Sequence, residues 1–351
     1  MTHSSSNSTA LRTSILHRPS LAQIAAEAGV GTATVDRILN GRPGVREQTR
    51  KRVLKAIAAL QAIHMPDTPP ANEKYKIAFL SDSERSFLEA LESAVWETVR
   101  QRSNVEATSI GITTSRVDPI KYANLIERTT ETAQALVIVA REDVIINRAI
   151  RSIVGRGVPV VCLTTDLPTS GRTAYVGNDQ ASTGATAAYL MGQAVGSREG
   201  NILLVYSAPY RVQEERELGF RRVLRSEYPS LKVDERVNSN DEAELVYPIV
   251  MRYIEEHGPP AGIYNVAAGN VGIGKAISEH GLTGKTVFIG HELNANSRML
   301  LETGVMNFVI GHDVAVEVEL SINCAIQAVG RKPITPPAFT RIRIYTKYRC
   351  N

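Results

Sequence analysis

Residues 20–57 read SLAQIAAEAGVGTATVDRILNGRPGVREQTRKRVLKAI, and this stretch decides the fold of the N-terminal part of the chain. It predicts three short helices, the second over 32–40 and the third over 46–60. Gly29 gives the first helix a stop signal. Apolar residues recur along one face of that helix at Leu21, Ile24, Ala25 and Ala28.

A tight turn, Gly29-Val30-Gly31, separates the first two helices. Glycine relieves the backbone in such a turn, and Val30 can fill the core between the helices. This spacing predicts a helix-turn-helix unit whose second helix can lie in a DNA major groove. A three-helix mini-domain without a partner is the alternative.

The distribution of charge favours the DNA-binding interpretation. The first 65 residues hold nine Lys and Arg against three acidic residues, while the remainder holds 31 against 33. A small basic head on a near-neutral body is typical of nucleic-acid-binding proteins.

The composition of the whole chain limits the protein class. With 351 residues, 43% hydrophobic and 22% charged, the chain is long enough for several compact units and is neither disordered nor fibrous. We find no run of about 18 apolar residues and no signal-peptide pattern, so we expect a cytoplasmic protein without membrane contact. Its three cysteines lack metal-ligand spacing, and we expect no metal and no other cofactor.

The sequence predicts four segments. These are a disordered tail over 1–18, a helix-turn-helix head over 19–62, a polar, proline-rich linker over 63–74, and a body over 75–351 that binds an effector and dimerises.

The body alternates short apolar runs with amphipathic helical patterns, which predicts an α/β fold of parallel sheets with helices on both faces. Its length favours two doubly wound subdomains, with ligands bound at the carboxyl ends of the strands. The predicted strands cover residues 75–80, 105–110, 135–140, 158–163, 201–206, 261–266, 286–290 and 307–311.

Several polar residues follow these strands or open the helices after them. Convergent carboxylates, amides and an arginine suit a polyhydroxylated ligand, because they can form paired hydrogen bonds with neighbouring hydroxyls. Each residue alone is equally compatible with a solvated loop. The candidate effector-binding residues are Asp82, Arg141, Asp166, Asp179, Arg216, Asn270 and Glu292.

Two other chemistries are open. Gly269–Lys275 satisfies the first seven positions of a phosphate-binding loop, but Ala276 lacks the hydroxyl that would hold magnesium. A nucleotide-binding enzyme is therefore the alternative function. His291 and His312 could suggest a metal pair, although strand-end residues facing a cleft are the better interpretation, and no catalytic residue is predicted.

The 20–57 stretch resembles the DNA-binding signature of the lac-repressor family of bacterial transcription regulators. The body is similar to that family's effector domain, which shares the fold of periplasmic sugar-binding proteins. The match is carried in the head by Ile24-Ala25, Ala28-Gly29-Val30, Thr34-Val35, Arg37, Leu39-Asn40 and Thr49-Arg50, and in the body by VPVVCL, VGND, ELGF and FIGHE.

The resemblance implies a sequence-specific regulator, expected to be a repressor, that binds a palindromic double-stranded DNA operator as a homodimer. A sugar or sugar-like effector would bind between the subdomains, and the chain would cross between them near 177–180, 311–314 and 331–340. Arg216 matches the family's effector-binding arginine, and Glu292 stands where an aspartate is usual. The implied DNA-binding residues are Thr32 and Ala33 for bases, with Thr34, Arg37 and Asn40 for phosphates or adjacent bases.

The linker departs from the family, because the usual hinge pattern A-R-x-L is missing. Pro69 and Pro70 remove two backbone donors and oppose a helix. We therefore expect an extended linker that inserts no leucine into the minor groove. Ala268 also replaces a frequent effector-binding asparagine, so the resemblance does not imply which ligand binds.

Overall fold

The computed structural model describes residues 21–39, 44–46, 48–54, 56, 74–239, 243–334 and 339–350. The chain forms two compact units, and the larger comprises residues 73–329 and 335–351. Asn40, the predicted tail and most of the predicted linker lie outside the described residues. No helix of the described ranges is both long and apolar enough to span a bilayer.

The head contains three helices: α1 (Leu21–Ala28), α2 (Thr32–Leu39) and α3, described over 48–54. The turn after α1 has the predicted form, because Gly29 adopts a left-handed φ of 60° and Val30 packs against the core. Arg52 Nη2 donates to the carbonyl oxygens of Ala28 at 2.6 Å and Gly29 at 3.1 Å, which ties α3 to the end of α1.

The described residues of the head form one apolar core. Val35 and Val53 are fully buried, but Leu39 and Leu54 are each 52% exposed. The apolar patterns of the second and third helices predict burial of both leucines, and this prediction is wrong. The buried core consists of Ile24, Ala25, Ala28, Val35, Val53 and Ala56.

The first subdomain of the body is a parallel sheet in the order β2-β1-β3-β4-β5. Helices α5 and α6 cover one face of it, and α4 and α12 cover the other. The strands are β1 (Tyr75–Ser83), β2 (Val105–Thr113), β3 (Ala135–Val139), β4 (Val160–Leu163) and β5 (Ala174–Val176), and the helices are α4 (Arg85–Arg100), α5 (Pro119–Thr129), α6 (Val144–Gly155) and α12 (Val314–Val329).

The second subdomain is a sheet in the order β11-β10-β9-β8-β6-β7, parallel except for β11. Helices α7 and α8 cover one face, and α9, α10 and α11 cover the other. The strands are β6 (Gly200–Tyr206), β7 (Leu231–Asn238), β8 (Gly262–Asn265), β9 (Val287–His291), β10 (Phe308–Gly311) and β11 (Arg343–Tyr345), and the helices are α7 (Gln180–Val195), α8 (Arg211–Glu227), α9 (Ala243–His257), α10 (Asn270–Glu279) and α11 (Ala295–Glu302).

The predicted fold class is confirmed, and all eight predicted strands are present. Three strands and one helix were missed: β5 and β11 have only three residues each, β7 carries the polar sequence LKVDERVN, and α11 is a short polar helix held by an Asn294–Ser297 capping box. The chain passes between the subdomains after β5, after β10 and after α12.

Helices α7 and α8 approach each other so closely that their backbones touch. A Cβ atom on Gly184 of α7 would overlap the carbonyl oxygen of Arg216, and one on Gly219 of α8 would overlap the carbonyl oxygen of Ala181. Only glycine fits at a backbone-to-backbone contact. This contact fixes the backbone of Arg216 against α7.

We predict that Gly184→Ala destabilises the protein, because the added methyl group forces α7 and α8 apart. Overpacking of this kind costs about 1–3 kcal/mol in free energy of unfolding, measured by urea denaturation. Gly155→Ala is the matched control, since a Cβ at this α6 position meets no atom within 4 Å. Equal stability of the Gly184→Ala variant and the parent protein would contradict the prediction.

Candidate functional site

The carboxyl ends of both sheets border one cavity, of about 540 Å³ including its solvent-filled mouth. This is the edge at which parallel α/β sheets bind ligands. The first subdomain contributes Ser83 at the end of β1, Glu84 and Phe87 after β1, and Thr164 and Thr165 after β4. The second contributes Gln213 and Arg216 of α8, Ala267 and Ala268 after β8, and His291 and Glu292 at the end of β9.

Arg216 is the buried cation of this cavity, with 5% of its surface exposed. Its Nε donates to Gln180 Oε1 at 2.9 Å, and Gln180 Nε2 donates to the carbonyl oxygen of Thr164 at 3.2 Å. Burial lowers the pKa of Arg216, although the nearby Tyr264 and Glu292 favour the charged form. Among the bonds between described residues, Arg216 makes only the one to Gln180, which leaves its terminal nitrogens for a ligand.

Two residues that line the cavity have a strained backbone. Thr164 has a φ of 62° and Glu292 a φ of 65°, in the left-handed region that side chains other than glycine rarely adopt. Such strain concentrates at binding sites, where the surrounding structure holds it. The backbone of Glu292 is held by its N–H, which donates to Ile310, and by its carbonyl, which accepts from Ser297.

His291 borders the cavity as a neutral group. Burial, reinforced by the charge of Arg216, lowers its pKa well below the ordinary value. Its Nε2 lies 3.0 Å from the Tyr264 hydroxyl. The imidazole is therefore part of a buried polar network and does not add a second positive charge beside Arg216.

Asp82 and Arg141, both predicted effector-binding residues, bond to each other. Arg141 Nε and Nη2 donate to the two Asp82 carboxylate oxygens at 2.6 and 3.0 Å. The Tyr210 hydroxyl also lies 2.6 Å from Asp82 Oδ1. Neither Asp82 nor Arg141 lines the cavity, so direct contact with an effector stays a prediction for both.

Three further predicted residues have local partners. Asp166 pairs with Arg172, and Asp179 caps α7 by accepting from the Ser182 N–H at 3.0 Å. Asn270 Nδ2 donates to the carbonyl oxygen of His291 at 3.1 Å, which ties the start of α10 to the end of β9. Asn270 lines an adjoining cavity that also contains Glu292.

Sequence reasoning missed several cavity residues. Glu84 caps α4 by accepting from the Phe87 N–H at 2.7 Å, and Gln213 Oε1 accepts from the Ser207 N–H at 2.8 Å. The position of Glu84 directly after β1 was a usable signal. No sequence signal pointed to Gln180, because its hydrogen bond with Arg216 depends on the three-dimensional approach of α7 to α8.

The Gly269–Lys275 segment does not have the geometry of a phosphate-binding loop. Helix α10 begins at Asn270, so Gly272 and Gly274 lie inside the helix and cannot form an open loop around a phosphate. Lys275 projects outward, 3.8 Å from Glu279 and 4.3 Å from the ring centre of Tyr247. The glycines instead allow close packing, since Gly274 faces Leu300.

The second helix of the head presents a polar surface. Thr32, Ala33 and Arg37 are exposed, and Thr34 is half-buried at the edge of the packed face. Val35 holds this helix to the core. This surface has small side chains at the helix N-terminus and a cation in the last turn. In helix-turn-helix proteins the N-terminal residues of the second helix contact base edges.

Glu317 of α12 is a fully buried carboxylate beside the cavity. Its Oε2 accepts from Thr164 Oγ1 at 3.0 Å, and its Oε1 accepts from Thr340 Oγ1 at 2.7 Å. His312 Nδ1 lies 3.0 Å from Glu317 Oε1. Burial by itself would lower the pKa of His312, but the combined interactions with Glu317 are stronger, so the pKa of His312 is raised. Burial would raise the pKa of Glu317, but its interactions with His312, Thr340 and Thr164 are together stronger and lower that pKa.

Comparison with known families gives two matches. Residues 78–333 match the periplasmic binding protein domain, and residues 20–61 match the bacterial regulatory proteins of the lacI family. The head is 60% identical over 40 residues to the HTH-type transcriptional regulator MalR of Streptomyces coelicolor, and 57% identical over 42 residues to an uncharacterized HTH-type regulator of Streptomyces limosus. Each match spans 12% of the relative's length and 11–12% of this chain.

The body is similar in fold to solved sugar-binding proteins. A solute-binding protein of Burkholderia graminis in complex with D-arabinose has a TM-score of 0.73 and 18% identity, over 80% of this chain and 97% of the other. The glucose-galactose binding protein GanP of Geobacillus stearothermophilus has a TM-score of 0.72 and 17% identity, over 79% and 99%. At these identities the likeness shows the fold.

We predict that the Glu317–His312 pair makes stability depend on pH. The raised pKa of His312 gives stability that is full below about pH 6.5 and is lost as pH rises through the folded value. The lowered pKa of Glu317 gives stability that is full above about pH 4.5 and is lost as pH falls. The pair therefore stabilises the fold most between these two values.

The test is urea denaturation of the parent protein and Glu317→Gln across this range. The variant should lose about 1–3 kcal/mol near pH 5.5, because a buried donor loses its acceptor, and the loss should shrink at alkaline pH. The difference between the two proteins cancels the opposite contribution of His291. Glu319→Gln on the exposed side of α12 is the control, and a pH-independent loss in Glu317→Gln would contradict the pairing.

Proposed function

Because the chain belongs to the periplasmic binding protein domain family and bears a helix-turn-helix head of the lacI family, we propose that it is a cytoplasmic transcription repressor controlled by a small carbohydrate. The observation that carries this proposal is the presence, in one chain, of an exposed polar recognition helix and a cavity with a buried arginine. Neither feature alone distinguishes a regulator from a DNA-binding module or a sugar carrier. The protein is not an enzyme.

The chemistry of the cavity supports a neutral polyhydroxylated ligand. Arg216 supplies donors, and the carboxylates of Glu84 and Glu292 supply acceptors, so neighbouring hydroxyls can be matched in pairs. Phe87 offers an apolar surface for the face of a sugar ring. The two carboxylates also disfavour an anionic ligand such as a sugar phosphate. The structural neighbour that holds D-arabinose indicates the ligand class to test first.

We infer that the protein acts on DNA as a homodimer. One small head gives too little contact for tight specific binding, and two heads on a palindrome multiply it. Ligand binding would shift the population of body conformations and thereby change operator affinity.

For the head, we predict that Arg37→Ala weakens binding to an operator selected from a random DNA library and to unrelated DNA alike. If Arg37 neutralises one phosphate, the slope of log K against log salt becomes shallower by about one unit. Thr32→Ala should instead change base preference, by roughly 1–3 kcal/mol at the affected base pair.

Arg148→Ala is the matched control, since this exposed arginine of α6 carries the same charge in the body. It should leave the salt slope unchanged. An unchanged slope in Arg37→Ala, or an equal change in both variants, would remove Arg37 from the DNA surface.

For the body, we predict that Arg216→Ala loses ligand response but keeps operator binding. Removal of a charged partner from a desolvated site should weaken sugar affinity on the order of 100-fold or more. Isothermal calorimetry with a panel of neutral aldoses measures this, and fluorescence anisotropy with operator DNA measures the retained function. Normal sugar affinity in the variant would refute the assignment of Arg216.

A further inference from the structure

The hydroxyl of Tyr210 joins the two subdomains beside the cavity. Tyr210 lies in the connection between β6 and α8 of the second subdomain and is 3% exposed. Its hydroxyl lies 2.6 Å from Asp82 Oδ1 and 2.9 Å from Thr114 Oγ1, both in the first subdomain. A buried hydroxyl that donates to a carboxylate makes one of the stronger hydrogen bonds in proteins.

The first subdomain holds its side of this contact rigidly. Arg141 binds both oxygens of Asp82, and its Nη2 also donates to the carbonyl oxygen of Thr114 at 2.7 Å. The Arg141 guanidinium lies 5.8 Å from the centre of the Tyr210 ring, which adds a cation–π contact. Asp82 and Thr114 are thus held in place by Arg141 without Tyr210, and the Tyr210 hydroxyl binds to acceptors that are already ordered. We call Tyr210, Asp82, Thr114 and Arg141 the clasp.

Two backbone amides cross between the subdomains next to the clasp. The Glu142 N–H donates to the carbonyl oxygen of Pro209 at 2.9 Å, and the Val212 N–H donates to Thr165 Oγ1 at 3.3 Å. Both bonds must break when the subdomains separate. Their protection from hydrogen exchange therefore reports how often the cleft opens.

We propose that Tyr210 is a positioning residue, whose hydroxyl sets the equilibrium between open and closed cleft without itself reading the ligand. Tyr210 lines the cavity, and its hydroxyl is bonded to Asp82 and Thr114 of the first subdomain. This role deepens the proposed effector control, because ligand affinity scales with the fraction of molecules that are closed. It also gives Asp82 and Arg141 a function that needs no contact with the ligand.

The test is Tyr210→Phe, which keeps the ring and removes the hydroxyl. Hydrogen exchange of the full-length protein, without ligand or DNA, should become about tenfold or more faster at the Glu142 and Val212 amides. Tyr253→Phe is the matched control, because its hydroxyl bonds Asp234 within the second subdomain at 3.1 Å. The control should leave both amides unchanged.

Unchanged exchange at both amides in Tyr210→Phe would overturn the proposal. Thr114→Val, which removes the second partner of the hydroxyl, gives an independent variant if Tyr210→Phe folds poorly, and circular dichroism checks folding. In calorimetry, Tyr210→Phe should weaken every neutral aldose that binds by one common factor, whereas a changed ratio between two sugars would show direct ligand reading and refute the role. Because the exchange experiment contains neither ligand nor DNA, failure of the proposed function leaves its result intact.

Discussion

The buried carboxylate of Glu317 is the interaction on which the arrangement of the two subdomains depends. It accepts hydrogen bonds from the end of β4 and from the returning chain at Thr340, and it faces His312 at the point where the chain leaves β10. The Thr340 N–H also donates to the carbonyl oxygen of Gly177, at the first passage between subdomains. The charge of Glu317 thus contacts the second and third passages, and Thr340 links the third passage to the first. An unpaired charge at this position would be costly.

Glu317 also contributes to the electrostatic field in the cavity. Arg216 lies within the field of Glu317 and Glu292, while the neutral His291 adds no charge. The balance of one cation against several carboxylates keeps the arginine ionised despite its burial. A hydroxyl-rich ligand can then displace water from fixed donors and acceptors without introducing a charge of its own.

Sequence patterns predicted the features that depend on local chemistry. The β-branched runs located eight strands because buried parallel strands read as continuous apolar segments, and the Gly29 turn located the helix-turn-helix. The strand-end rule pointed to Arg216 and Glu292, which line the cavity. It could not foresee that Asp82 and Arg141 would bond each other, since Asp82 lies near the end of β1 and Arg141 follows β3, and these strands become neighbours only in the sheet. Edge strand β7 and the role of Gln180 likewise depend on tertiary contacts.

The glycine contact between α7 and α8 distinguishes two kinds of cavity residue, those on the tightly packed helix α8 and those on loops. Arg216 stands on a helix whose backbone touches its neighbour, so substitutions elsewhere have little freedom to move it. Ala267 and Ala268 stand on the loop after β8, where side chains can change without disturbing helix packing. A change of ligand preference would therefore be sought in the loops, around an arginine that serves as the common anchor for different ligands.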